Sequence, residues 1–269
     1  MAIKIILSDI DGTFLNSQKK VTDLTAQAVR SVIAKNLKFV LVSARMPEAI
    51  YPITDSINLP KIPVISYNGA LILTEDEKIL HDKKIPAVDA KNILSEIFKG
   101  WEDISVGYYS GRKWFVQKID ERIEYEIKST KVQAEIKNFD ELIEKNILPN
   151  KIFVRCDPSI CAEMEFELGK KFKNLNVVRS APHLLEVMDK SVSKAEGIKI
   201  LLNHYGASKD EAIAFGDNYN DIEMLKYIPR SVAMANAPDG VRKFARFVTD
   251  SNDDSGIYTY LAKIGVIEK

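Results

Sequence analysis

The sequence predicts a parallel, doubly wound α/β sheet that carries an inserted second α/β domain, and three observations predict it. Apolar strands alternate with segments of helical period over residues 3–66, the order that builds a parallel sheet. Two short apolar strands far apart in the chain, residues 3–7 and 212–215, each run straight into an acid-rich loop. Between them, residues 84–187 have strands and helices of their own and no such loop.

The first strand delivers Asp9-Ile10-Asp11-Gly12-Thr13 at its carboxyl end, where ligands of open α/β sheets bind. Alternate residues of an extended segment point the same way, so Asp9 and Asp11 are expected to reach into one space. Two like charges held that close call for a metal, a shared proton or a nearby cation. Mg²⁺ meets the need, because it takes oxygen ligands and keeps waters that a substrate phosphate replaces. A carboxylate can also act as a nucleophile and become an aspartyl phosphate that water hydrolyses. The plainer reading is an acidic turn that ends a strand, and the later motifs decide against it.

From Thr22 to Asn36 the residues Ala26, Val29 and Ile33 repeat at helical spacing, and Asn36 suits a left-handed stop. Residues 39–42 read as a second buried strand that delivers Ser43-Ala44-Arg45. A hydroxyl with backbone N–H groups at a strand end suits a phosphate, although Ser in that place also serves ordinary turns. After Asn68-Gly69, residues 70–73 and 78–80 form a hairpin about Glu75-Asp76, and Lys83-Lys84-Ile85-Pro86 leads into the second domain.

In that domain Ala90, Ile93, Leu94 and Ile97 predict a helix ending at Gly100. Residues 105–109 and 113–117 read as strands around Ser110-Gly111, and 151–155, 162–172 and 176–180 as strand, helix, strand. The charged stretch 118–131 is a solvated helix face. Trp101, Tyr108, Tyr109, Trp114 and Phe115 read as packing before they read as a ligand platform. Residues 184–188 return the chain to the first domain.

There, Ser193-Lys194-Ala195-Glu196 is a capping box that opens a helix. Ile198, Leu201, Leu202 and Tyr205 share one face of it, and Gly206 stops it. Lys194 lies in the first turn, against the helix dipole, a placement that suits a lysine meeting an anion. The strand 212–215 then opens Gly216-Asp217-Asn218-Tyr219-Asn220-Asp221, followed by the helical Ile222-Glu223-Met224-Leu225. Hard oxygen ligands on such a loop suit Mg²⁺ and suit zinc poorly.

Together these motifs resemble the haloacid dehalogenase superfamily, in its branch of Cof-type phosphatases with a type IIB cap. The resemblance is carried by Asp9-Ile10-Asp11-Gly12-Thr13, Ser43-Ala44-Arg45, Lys194 and Gly216-Asp217-Asn218-Tyr219-Asn220-Asp221. Tyr67-Asn68-Gly69-Ala70 and Met234-Ala235-Asn236-Ala237 are also similar, while Ala44 departs from the family's more usual Gly. The resemblance implies that Asp9 attacks phosphorus and that Asp11 protonates the departing alcohol, then activates water. It implies Mg²⁺ held by Asp9, the backbone carbonyl of Asp11 and Asp217, with Asp221 in support. Ser43, the N–H groups of Ile10 and Ala44, Lys194 and Asn220 are implied to hold the phosphoryl oxygens. Arg45 and Asn68 receive no role. The implied architecture is a catalytic core of residues 1–83 and 188–269, with 84–187 as an inserted, substrate-selecting cap.

Composition frames that site. Acidic and basic residues cancel at 38 each, which removes the electrostatic argument for nucleic acid or an anionic membrane. A chain of 269 residues that is 46% hydrophobic can fill more than one core. No apolar run approaches the ~20 residues of a membrane helix, and Asp9 and Asp11 interrupt the start before a signal-type apolar region develops. Cys156 and Cys161 are expected as free thiols of a reduced cytosol, a local disulfide being the other option. The expectation is a cytoplasmic monomer or small homo-oligomer that hydrolyses a small phosphorylated metabolite with Mg²⁺. Sugar phosphates come first and phosphorylated cofactors second. A phosphomutase of the same superfamily is the nearest alternative. A signalling receiver domain is opposed by the length and by Asp11. A regulator on a retired phosphatase fold is opposed by the retention of Asp9, Asp11, Lys194 and Asp217.

Overall fold

The apolar run at the start of the chain becomes β1 (Ile5–Ser8), buried along its length in the computed structural model, which describes residues 2–268. Thr22 caps α1 (Asp23–Ala34) by accepting a hydrogen bond from the Thr25 N–H, and Ala26, Ala28, Val29 and Val32 form its buried face. Asn36 takes the left-handed conformation expected of it. There follow β2 (Lys38–Val42), α2 (Pro47–Asp55), β3 (Val64–Ser66), β4 (Leu71–Leu73) and β5 (Ile79–Asp82).

The chain then builds a second compact unit, Asp82–Val192. Its elements are α3 (Ala87–Gly100), β6 (Ser105–Ser110), β7 (Lys113–Val116), α4 (Glu121–Thr130), β8 (Glu135–Ile136), α5 (Phe139–Glu144), β9 (Lys151–Arg155), α6 (Pro158–Lys171), β10 (Leu175–Ala181) and β11 (Leu184–Asp189). From Ser193 onward the first unit resumes with α7 (Lys194–His204), β12 (Ala212–Gly216), α8 (Ile222–Tyr227), β13 (Arg230–Ala233), α9 (Asp239–Arg242), β14 (Phe247–Val248) and α10 (Gly256–Lys263).

The first unit is built on an eight-stranded sheet of order β14-β13-β12-β1-β2-β3-β4-β5. From β14 to β3 all neighbours run parallel, and β4 turns back antiparallel to β3. From β1 the chain moves outward to β2 on one side, and from β12 it moves outward to β13 on the other. The gap between β1 and β12 is therefore a topological switch point, where the loops after both strands part and leave a crevice. Helix α7 lies on the sheet through Ile198, Leu201 and Leu202, which share a core with Ile5, Leu7, Val40, Ile65 and Ala214. That packing aims the start of α7 at the crevice.

The second unit has a six-stranded sheet of order β10-β11-β9-β6-β7-β8. Its core includes Ile93, Ile97, Tyr108, Phe115, Ile152, Val154, Leu185 and Val187. Tyr108 stacks on Phe139 at 5.1 Å, and Tyr109, Trp114 and Phe153 pack against one another, so these rings serve as packing. Two expectations need correction. Residues 184–188 do not yet return the chain to the first unit: β11 pairs antiparallel with β9 and β10, because Leu185 and Val187 alternate into the second core, and the first unit resumes only at Ser193. Cys156 and Cys161 form a disulfide, since Asp157 caps α6 and its first turn brings Cys161 back toward β9, with a Cα–Cα distance of 6.0 Å.

Candidate active site

Asp9 leaves β1 into the crevice, its N–H donating to the carbonyl of Phe215 at 3.0 Å, so the two strand ends are stitched together. The chain then folds into a tight turn in which Phe14 and Leu15 donate to the carbonyls of Asp9 and Ile10. Gly12 takes a positive φ of +89°, and a Cβ there would lie 2.3 Å from Asp217 Oδ2. The glycine thus supplies both the turn and the room for the second acidic loop. Thr13, buried behind it, donates through Oγ1 to Asp217 Oδ1 at 2.6 Å.

After β12, Asp221 folds back and accepts from the N–H groups of Asp217 and Asn218 at 2.9 and 3.0 Å. Its other oxygen, Oδ1, takes the Lys194 ammonium at 2.6 Å, and Asp9 Oδ1 takes the same ammonium at 2.5 Å. All three groups are buried. Ser193 caps α7, so the helix starts at this lysine. The helix start is seated by a close approach of two glycines: a Cβ on Gly69 would meet the Ser193 carbonyl at 2.4 Å, and one on Gly197 would meet Gly69 Cα at 2.8 Å.

The electrostatics follow from the burial. Asp9, Asp217 and Asp221 offer carboxylate oxygens within 4.8 Å of one another. Burial pushes the Asp9 carboxyl well above its ordinary range; Lys194 opposes this, and the charges of Asp221 and Asp217 add to it. Burial likewise raises Asp217 to about 6, against the Thr13 hydrogen bond, and the Asp221 charge adds to the rise. Burial alone disfavours the Lys194 ammonium, but Asp221 and Asp9 outweigh it and keep the group protonated above the usual lysine range.

Asp11 is not one of those three carboxylates, although its charge adds to the rise of Asp217. Arg45 grips it as a two-pronged fork, Nε to Oδ2 and Nη2 to Oδ1, both at 2.8 Å, and Lys19 reaches Oδ1 at 3.1 Å. Burial would raise Asp11, but these two cations dominate and hold it down at about 2. The nearby cation, one of three devices that the sequence left open, is the one used for Asp11.

The other expected residues are placed as follows. Ser43 is buried at the end of β2, with its N–H on the Ile65 carbonyl and its hydroxyl accepting from the Arg45 N–H at 3.2 Å. Ala44 sits between Ser43 and Arg45. The Ile10 side chain is buried, and its carbonyl accepts from Thr13 and Leu15. Asn220 is exposed on the short 3₁₀ turn that precedes α8. Sequence reasoning missed Thr13, Lys19, Arg45 and Asn236 as parts of the site. Asn236 Nδ2 donates to the Gly12 carbonyl at 2.8 Å, while its Oδ1 accepts from the Asn252 N–H. Its segment stood out in the sequence, but nothing there tied it to the first loop.

The family model for haloacid dehalogenase-like hydrolases matches residues 6–261. A Haemophilus influenzae protein, assigned provisionally as a phosphatase, is 31% identical over 258 residues, which cover 96% of both chains. The crystal structure of a haloacid dehalogenase-like hydrolase from Bacteroides thetaiotaomicron is similar at a TM-score of 0.88 and 26% identity, covering 97% of this chain and 99% of that one. A subclass IIB sugar phosphatase of the same superfamily shares the fold at a TM-score of 0.83 and 24% identity, covering 98% and 100%.

Proposed function

The chain belongs to the haloacid dehalogenase-like hydrolase family, and from that premise we propose that it is a Mg²⁺-dependent phosphatase of small phosphate monoesters, working through an aspartyl phosphate at Asp9. The observation that carries the reading is a charge imbalance. Three buried or nearly buried carboxylates, Asp9, Asp217 and Asp221, stand against the single ammonium of Lys194. An excess of carboxylate oxygens in so little water calls for a divalent cation, and an all-oxygen donor set is the kind that Mg²⁺ takes.

In this reading Asp9, the backbone carbonyl of Asp11 and Asp217 hold the metal, with Asp221 in support. Bound there, Mg²⁺ supplies neutralisation of charge on the phosphoryl oxygens. Lys194 keeps Asp9 Oδ1 fixed and so orients the nucleophile. A carboxylate oxygen of Asp9 bonds to phosphorus as the bond from phosphorus to the leaving oxygen breaks, and Asp11, ionised in the free site and protonated before this step, delivers that proton to the leaving oxygen. Water then attacks the aspartyl phosphate, Asp11 takes its proton, and inorganic phosphate departs with Asp9 restored. Ser43, the N–H groups of Ile10 and Ala44, Lys194 and Asn220 are the proposed holders of the phosphoryl oxygens.

Selection among esters is assigned to the inserted unit, within residues 84–187, which carries no phosphate motif. A small phosphorylated metabolite, sugar phosphates first, and a cytoplasmic setting belong to the same proposal; among the described residues no helix is long and apolar enough to cross a membrane. The test is phosphate release across a panel of phosphorylated metabolites with Mg²⁺, beside an Asp9→Asn control. The reading expects turnover of some monoesters that is lost with EDTA and in the variant. Turnover that survives Asp9→Asn contradicts it.

A further inference from the structure

Arg45 has no part in the mechanism above, yet it is the strongest partner of the proposed acid–base group. We propose that Arg45 exchanges partners: it clasps Asp11 in the free site and turns its guanidinium to the phosphoryl oxygens of a bound phosphate, releasing Asp11. The proposal rests on the phosphatase reading for the identity of the site as a phosphate site, and it adds a residue to it.

Four observations lead there. First, the backbone of Arg45 belongs to the loop proposed to seat the phosphoryl group. Its N–H donates to Ser43 Oγ at 3.2 Å. Its carbonyl accepts from the Tyr67 N–H at 3.2 Å, and the neighbouring Ser43 carbonyl accepts from the Asn68 N–H at 2.8 Å. Tyr67 and Asn68 both hold positive φ values, 51° and 54°, a strained pair that the loop contacts maintain. The base of the arginine is therefore fixed beside the phosphate seat, and its side chain is the part able to move.

Second, the fork occupies both oxygens of Asp11. A carboxyl group so tied has no oxygen directed to a leaving group, and one prong at least must be given up before it can act. Third, the pair is cheap to part. The Arg45 side chain is 25% exposed and that of Asp11 40%, so water and salt weaken their attraction. The Lys194 pairs, with the ammonium fully buried, have no such freedom. Fourth, the exchange costs little geometry. A guanidinium fork fits two phosphate oxygens as it fits two carboxylate oxygens, and Lys19 stays on Asp11 Oδ1 when Arg45 leaves.

Inorganic phosphate is the probe, titrated calorimetrically into the full-length protein with Mg²⁺ present, with thermal melts to confirm that each variant is folded. Arg45→Ala is expected to weaken phosphate binding at least tenfold, and Arg45→Lys, which keeps the charge without the fork, to restore only part of the loss. Asp11→Asn removes the competing carboxylate, so it is expected to tighten phosphate several-fold when Arg45 is present and to have little effect in the Arg45→Ala background. Equal tightening in both backgrounds would assign the effect to through-space charge and overturn the exchange. Unchanged affinity in Arg45→Ala, or no phosphate binding by the unaltered protein, overturns it as well. Failure of the phosphatase reading has a separate signature: phosphate binds with the expected dependence on Arg45, but the unaltered protein hydrolyses no monoester.

Discussion

Two buried lysines sit on opposite sides of this chain's division of labour. In the second unit, Lys151 and Glu186 pair at 2.6 Å with side chains 7% and 6% exposed, and the ammonium also lies 5.3 Å from the Tyr109 ring centre. In the first unit, Lys194 is at least as buried and its bonds are as short, but it faces two carboxylates with a third beside them. One pair is balanced and the other cluster is in excess of negative charge. Burial of an ionic pair is an expensive way to join two strands, and a hydrophobic pair of similar volume often does as well. An unbalanced cluster is not accounted for that way, and its excess of carboxylate is what the proposed cation would offset.

Substitution at the two lysines should separate the roles. Lys194→Ala is expected to abolish phosphate release, as loss of a group acting with the nucleophile does, and to cost about 3–5 kcal/mol of stability as well. Lys151→Met should cost a comparable amount, because it strands Glu186, yet leave the turnover of p-nitrophenyl phosphate per folded molecule within about fivefold. The double variant Lys151→Met/Glu186→Leu should recover most of that stability. Urea melts and phosphate-release assays on the three proteins read both axes. A Lys151 variant as inactive as the Lys194 variant would contradict this division of roles.

A smaller effect is read through pH. Asp217 has its folded carboxyl raised to about 6, above the ordinary carboxylate value near ~4. A carboxyl raised on folding stabilises the metal-free fold fully below the unfolded value, and that contribution is lost as pH rises through about 6. Mg²⁺ needs the ionised form, so its effect runs the other way. Saturating Mg²⁺ should raise Tm by roughly 5–10 °C at pH 7.5 and much less at pH 5. Melts at the two pH values with Mg²⁺ or EDTA measure this; a larger effect at pH 5 would contradict the assignment of Asp217. The smallest expected change is Asn236→Ala, which removes the hydrogen bond to the Gly12 carbonyl and should cost about 1 kcal/mol, read as a shift in the urea midpoint.

The parts of this site that were legible in the sequence are those made by local chemistry. Asp9, Asp217 and Asp221 follow strand ends, and Ser193 marks the helix that carries Lys194, so strand and cap signals were enough to find them. Arg45 and Lys19 could not be assigned, because their meeting with Asp11 is set by the paths of the loops after β1 and β2 and leaves no mark in spacing. Asn236 was conspicuous without a role for the same reason: Gly12 lies more than two hundred residues away in the chain. The return to the first unit was read a few residues early, because an alternating apolar strand declares its two faces but not its neighbours, and β11 pairs with β9 and β10. The cysteines were misjudged on compartment, whereas the turn into α6 is what brings them together.

The carboxylate excess around Lys194 is proposed to hold a divalent cation. Calorimetric titration of Mg²⁺ into the metal-free protein at pH 7.5, beside Asp217→Asn, decides the point. The account predicts saturable binding of a single ion by the unaltered protein and loss of that binding in the variant, with both proteins folded. Equal binding by the two, or none by the unaltered protein, would contradict it.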